Sequence, residues 1–130
     1  MAAFSDYLEN KVLGHVFGGT AYTAPSTLYV ALYTVAPSDT GGGTEVSGGG
    51  YARQTSTFTV SGTNPTEATN ASAIEYPEAT ANYGTVVAVG VFDALTSGNL
   101  LAYSTLTASK TIDSGDVFRI NAGNLDITLA

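Results

Sequence analysis

Apolar positions are densest between Val86 and Phe92, a β-branched run with no polar break. Strict alternation puts Val87, Val89 and Val91 on one face and Val86, Ala88 and Phe92 on the other, so the strand is apolar on both sides and needs cover on both. Asp93 to Asn99 then supplies Asp, Ser, Gly and Asn for a turn, and Leu100 to Thr107 returns as a second strand. A helical period replaces the alternation only near the start. Phe4, Leu8, Val12, Leu13, Val16 and Phe17 form one stripe, which predicts a helix over Ser5–Phe17 with Ser5 as N-cap and Gly18-Gly19 as its stop. That helix either plugs one end of a β core or docks on a partner.

The remaining strands are short. Thr27–Val35 alternates, with Leu28, Val30 and Leu32 facing inward and Tyr29, Ala31 and Tyr33 on the opposite face. Tyr51–Val60 places Ala52, Phe58 and Val60 on an apolar side and Arg53 on a polar one. Ser61–Asn70 reads as a polar loop, Ala73–Tyr76 as a short strand, Thr107–Gly115 as a turn region and Asp116–Asn121 as a strand. Leu125, Ile127 and Leu129 alternate in a last strand that runs to the terminus. The pattern predicts one mostly β domain over residues 1–130. It would be a β-sandwich or jelly roll of about seven to eight antiparallel strands with one short N-terminal amphipathic helix.

Composition sharpens this in one direction. The chain is 44% hydrophobic but only 12% charged, about half the usual charged share, with Ser, Thr, Gly and Ala in place of Lys and Glu. A hydroxyl-rich skin suits half-buried strands and contact with other proteins. Eleven carboxylates against Lys11, Arg53, Lys110 and Arg119 give a net charge of −7. Four scattered cations cannot neutralise a phosphate backbone, which excludes nucleic acid as a partner and argues against an anionic membrane surface. No apolar run approaches the roughly 20 residues of a spanning helix, and no basic segment followed by an apolar block marks a signal peptide.

Candidate chemistry is sparse. Without cysteine there is no disulfide, thiolate metal site or thiol nucleophile. The sole histidine, His15, falls near the end of the predicted helix, where the helix dipole explains it better than catalysis does. The six glycines of Pro37–Gly50 resemble a phosphate-binding loop, but no Gly-Lys-Ser/Thr follows. The stretch reads as a long mobile excursion whose deletion over Thr40–Gly49 should leave the fold intact. Glu75 with Glu78, and Asp113 with Asp116, are the carboxylate pairs that a glycosidase dyad or a calcium site could use; ordinary turn chemistry accounts for the second pair equally well. Asn70-Ala71-Ser72 matches a glycosylation sequon. No cofactor, metal or catalytic residue is expected.

Several stacked motifs carry a resemblance. Asp6-Tyr7-Leu8-Glu9-Asn10-Lys11, His15-Val16-Phe17, Tyr22-Thr23-Ala24-Pro25 and Leu28-Tyr29-Val30-Ala31-Leu32-Tyr33 open the series. Gly41-Gly42-Gly43-Thr44-Glu45-Val46, Tyr51-Ala52-Arg53-Gln54, Gly90-Val91-Phe92-Asp93, Gly98-Asn99-Leu100-Leu101 and Ser114-Gly115-Asp116-Val117-Phe118 continue it. Together they resemble small structural proteins of tailed bacteriophages, a group labelled minor capsid, head-decoration (cement) or tail-fibre proteins. The resemblance implies a non-enzymatic virion component assembled in the host cytoplasm. An isoelectric point near 4.2 disfavours contact with packaged DNA. The first expectation is therefore a decoration protein on the outer surface of the head, bound to the major capsid protein and to copies of itself as a dimer or trimer. The alternative is a tail or tail-fibre-associated adaptor, with host-glycan binding as an option. The residues expected to meet partners are Phe4, Leu8 and Val12 of the helix stripe, the pair Tyr29 and Tyr33, and Gly42, Thr44, Val46 and Tyr51 in and after the glycine loop.

Overall fold

The helix forms where its stripe predicts. In the computed structural model, which describes residues 3–63 and 65–129, α1 spans Asp6–Val16. Ser5 has the extended backbone of an N-cap, and its Oγ accepts the Leu8 N–H at 3.2 Å. Asp6 and Glu9 lie in the first turn, where the positive end of the helix dipole favours carboxylates. The chain leaves through Phe17, whose N–H returns to the Leu13 and Gly14 carbonyls.

Eleven strands occur among the described residues: β1 (Ala3–Phe4), β2 (Leu28–Val35), β3 (Thr44–Glu45), β4 (Gln54–Ser56), β5 (Phe58–Ser61), β6 (Thr66–Asn70), β7 (Ile74–Glu75), β8 (Gly84–Phe92), β9 (Leu100–Ile112), β10 (Arg119–Ile120) and β11 (Asp126–Leu129). Every pairing is antiparallel. The main sheet runs β1-β9-β8-β2-β3, with β4 also paired to β2, and it stays open at both ends. β7 with β10, and β5-β6-β11, make two small sheets. The hairpin β8–β9 and the β2–β8 ladder, with Tyr29 opposite Phe92 and Tyr33 opposite Ala88, form the middle.

One face of the main sheet carries the larger core. Val30, Leu32, Val86, Val89 and Val91 meet Ile74, Tyr76, Phe118, Ile120 and Leu125 from the small sheets and their loops. Tyr76 is 2% exposed; its hydroxyl donates to the Val30 carbonyl at 2.7 Å and its ring contacts Tyr51 and Phe118. The opposite face carries a smaller cluster of Ala31, Tyr33, Ala88, Phe92 and Leu100. Gly90 makes room there: a Cβ on it would sit 2.9 Å from a Leu100 methyl and 3.0 Å from the Tyr33 ring.

The structure corrects several sequence expectations. Val86 packs with Val89 and Val91, not with Ala88, because the β8–β9 register shifts between Val86 and Ala88. β9 runs on to Ile112 through Thr107–Thr111, a polar stretch with no apolar alternation to mark it. Tyr51–Val60 is two strands in different sheets, β4 on β2 and β5 on β6, and Val60 is 70% exposed. The expected Ser61–Asn70 loop contains β6, held by backbone pairing to both β5 and β11; the part of that expectation on Asn64, and the run of the last strand to Ala130, lie outside the described residues. Asp116–Asn121 shortens to β10. The glycine stretch is ordered structure, with β3 on β2 and Val46 in the core at 4% exposure, so removing Thr40–Gly49 would cut into the fold. Finally, α1 does not plug the core: among its described residues none is buried.

Candidate functional site

Arg53 organises one end of the molecule. β4 begins one residue later, so its ladder with β2 turns the Arg53 side chain under the loops on either side, where it is 9% exposed. The guanidinium forks onto Glu45, Nε to Oε2 and Nη2 to Oε1, both at 2.9 Å. Nη1 donates to the carbonyls of Ala94 at 2.9 Å and Ser97 at 2.8 Å. Its carbon lies 3.7 Å from the Phe92 ring centroid. Ser97 adopts φ 54°, a left-handed conformation rare outside glycine, and the Arg53 contact holds its carbonyl in place.

Tyr51 completes this brace. Its hydroxyl donates to Glu45 Oε2 at 2.7 Å and accepts the Leu32 N–H at 3.0 Å. Burial, and then the bond to Glu45, push the Tyr51 phenol far above its ordinary range. Burial alone would raise the Glu45 pKa, but the hydrogen bonds from Arg53 and Tyr51 overcome it and hold the carboxyl below its ordinary value. Burial pushes Tyr33 up to about 12. These groups keep one protonation state at neutral pH and have every strong partner satisfied. The cluster ties the 45–53 segment to the turn after β8.

Val35, Val60, Leu95 and Val117 are scattered along the chain, but the other exposed large apolar side chains among the described residues group together on α1. Leu13, Val16 and Phe17 are 58%, 60% and 82% exposed at its C-terminal end. Its first turn is anchored instead: Ser5 Oγ donates to the Leu100 carbonyl at 2.5 Å, and Ser5 N–H to Leu101 O at 2.8 Å. Beside that turn opens a groove of about 480 Å³, lined among others by Tyr7, Tyr33 and Phe92 and rimmed by Asp6, Asp39 and Asn99. Asp39 fixes part of the rim by accepting from the Tyr103 hydroxyl, which raises the Tyr103 pKa.

The residues expected to meet partners are scattered over these features. Phe4 is half-buried in β1 opposite Ala102, and Leu8 and Val12 are half-buried along α1. Tyr29 is half-buried and Tyr33 is 4% exposed, so their shared face is mostly enclosed by the smaller cluster. Gly42 and Thr44 are exposed, Val46 is interior, and Tyr51 points into the brace. The structure brings Tyr33 beside β3, pairing it with Glu45, and ties the first turn of α1 to the glycine stretch through the Asp6 N–H, which donates to the Asp39 carbonyl at 2.9 Å. The central role of Arg53 went unread. Its signal was the scarcity of cations, one of only four in the chain falling within eight residues of a glutamate in an otherwise uncharged segment.

The other polar motifs resolve into structure. Glu75 forms an exposed pair with Arg119 at 2.9 Å. Asp116 Oδ2 accepts the Asp113 N–H at 2.9 Å and Asp116 N–H reaches Asp113 O at 3.0 Å, a turn that bonds to itself. His15 is exposed and its Nδ1 accepts the Tyr22 N–H at 3.0 Å. Asn70, of the sequon, is 2% exposed, and its amide is spent on Ser72 O, Asn121 O and Leu125 N–H. Among the described residues no three His, Cys, Asp or Glu side chains come together as a metal site, and no helix is long and apolar enough to cross a membrane.

No curated protein matches the chain. A family model does, over nearly its full length: residues 3–128 match the family described as "Podophage GP4 fiber I protein gp80". A match of that extent takes in α1, all three sheets and the Arg53 brace, and on it the chain belongs to this phage fibre protein family.

Proposed function

We propose that this protein is a fibre-associated structural component of a podophage particle, working by adhesion to other virion proteins and performing no catalysis. The observation that carries the reading is the family match over residues 3–128. The surface supports it: among the described residues no buried side-chain polar atom lacks a partner, and three exposed apolar side chains, Leu13, Val16 and Phe17, adjoin at one end of α1. Within this reading the brace stiffens one end of the domain, and the exposed helix end offers the adhesive area. Relative to the sequence expectation, the tail or fibre station takes precedence over head decoration.

Head decoration is the second reading, favoured by the net charge of −7, which suits the outside of a DNA-filled shell as well as it suits a fibre. Its partner would be the major capsid protein. Copy number in purified particles separates the two. A fibre component is expected at roughly a dozen copies or fewer, as the low rotational symmetry of a tail imposes, and in the tail fraction after particles are split. Hundreds of copies in the head fraction would replace the fibre reading with decoration. Absence from purified particles would remove both.

A further inference from the structure

Two features that a partner could use sit at opposite ends of the same helix. At the C-terminal end stands a knob: Phe17 at 82% exposure, flanked by Leu13 and Val16. At the N-terminal end, about 16 Å away for an eleven-residue helix, is the groove of about 480 Å³ with Tyr7, Tyr33 and Phe92 in its walls. From this arrangement we infer that copies of the chain associate head to tail, the Phe17 knob of one entering the aromatic groove of the next.

Shape and chemistry both support a second copy as the occupant. A phenyl ring is smaller than the groove, whose floor is the buried edge of the stacked Tyr33–Phe92 pair and whose half-buried Tyr7 offers an edge or offset-stacked contact. Every copy carries both halves of the contact, so no further component is required. Charge decides which surfaces of so acidic a chain can meet. At −7, most pairs of surfaces bring carboxylates together. The knob is an exception, since no Asp or Glu occurs between Glu9 and Asp39. The groove is rimmed by Asp6 and Asp39, so the carboxylate-free end of one helix meets the carboxylate-bearing end of the next without like-charge repulsion.

Such a contact is heterologous: different patches of the two copies touch. It therefore closes into a ring or extends as a filament, and does not stop at a two-fold dimer. This inference stands apart from the fibre reading, because it concerns the isolated chain and not the particle.

Sedimentation velocity of the full chain over a concentration series tests it. The weight-average mass is expected to rise beyond that of a dimer; a monomer at every concentration up to about 1 mM would overturn the inference. Phe17→Ser, which removes the knob, and Tyr7→Ala, which removes a groove wall, should each weaken association about tenfold or more, as loss of a central aromatic anchor does. The decisive step is mixing. Phe17→Ser retains a groove and Tyr7→Ala retains a knob, so an equimolar mixture should regain a 1:1 dimer and nothing larger. Two helix ends packing against each other symmetrically would give no such recovery, and its absence refutes the head-to-tail arrangement. Phe17→Leu, which keeps an apolar knob, should associate nearly as wild type, and thermal melts of each variant separate lost association from lost folding. A Phe17→Ser chain that associates as strongly as wild type also overturns the proposal.

Discussion

The two faces of the central sheet are built on different terms. On the Tyr76 side, fifteen buried residues from the main sheet, the β7–β10 pair and their loops form one cluster, with Phe58 and Ile127 of the third sheet packed against it. Even its polar atoms are tied down, as the Tyr76 hydroxyl is by Val30 O. On the Tyr33 side only five buried residues make a cluster, and the element lying nearest, α1, buries none of its own. The difference separates two tasks. Burial on the first face supplies the cooperative stability, since apolar area removed from water is the dominant favourable term. Beside the second face it is α1 that keeps apolar groups at the surface, Leu13, Val16 and Phe17, where they can still gain by being covered. Substitutions on the two sides should therefore fail differently. Tyr76→Ala is expected to cost about 3–5 kcal/mol of unfolding free energy, by cavity and lost hydrogen bond together. Urea denaturation measures it, and a loss below about 1 kcal/mol would mean that the two faces are not so unequal.

The Arg53 brace lies at the rim between the faces and should rank second. Removing one partner of a fully buried ion pair costs about 3–5 kcal/mol, but the Glu45 side chain keeps 27% exposure, so water compensates part of the loss. Arg53→Met is expected to destabilise by about 2 kcal/mol. Its pH signature is more specific than its size. The Glu45 pKa is held below its ordinary 4.5 in the folded chain. The brace then contributes fully above pH 4.5, and that contribution is lost as pH falls through the lowered folded-state value. Wild type and Arg53→Met should converge in stability on acidification below pH 4.5. Curves that stay parallel through that range would show that Glu45 takes no part.

What the sequence made legible follows the same division. Amphipathic period and capping chemistry located α1 to within a residue at each end, because Ser5 and Phe17 act locally. The continuous apolar run of β8 announced a strand covered on both sides, as it is. Elements held by distant partners were not legible. β6 reads Thr-Glu-Ala-Thr-Asn with no alternation, and it exists because β5 and β11 pair with it and because Asn70 bonds Leu125 and Asn121 across the chain. The polar half of β9 and the change of sheet at Thr57 depend in the same way on partners that periodicity does not encode. At the candidate site the stripe was readable but its cover was not. Helical spacing gives an apolar face, and only the tertiary packing leaves Leu13, Val16 and Phe17 outside.

Ser5 joins the two regimes, anchoring the weakly packed arm to β9. As N-cap it satisfies the Leu8 N–H, and its Oγ donates to the Leu100 carbonyl from a site 2% exposed. Ser5→Ala removes both bonds and should cost about 1 kcal/mol, the usual loss for a capping serine. Because α1 buries nothing, amide hydrogen exchange should quicken across α1 and stay unchanged in β2 and β8. An equal increase in the central strands would mean that the arm is part of the main cooperative unit.

The smallest change in stability is expected where the effect on assembly is largest. Phe17→Ser alters a side chain 82% exposed at the C-cap, with no buried contact to lose, so the unfolding free energy should shift by no more than about 0.5 kcal/mol. A phenylalanine that did nothing but stand in water would be neutral on every measurement. One that covers a neighbouring copy is neutral in the dilute monomer and costly once copies meet. Melting at two protein concentrations therefore reads the two roles apart. In dilute solution the variant should melt with wild type. At high concentration wild type should gain melting temperature by mass action, as any contact made only by the folded chain requires, while Phe17→Ser should not. A variant that melts well below wild type even when dilute would reveal a packing role for Phe17 and erase the contrast between the sealed core and the exposed end of α1.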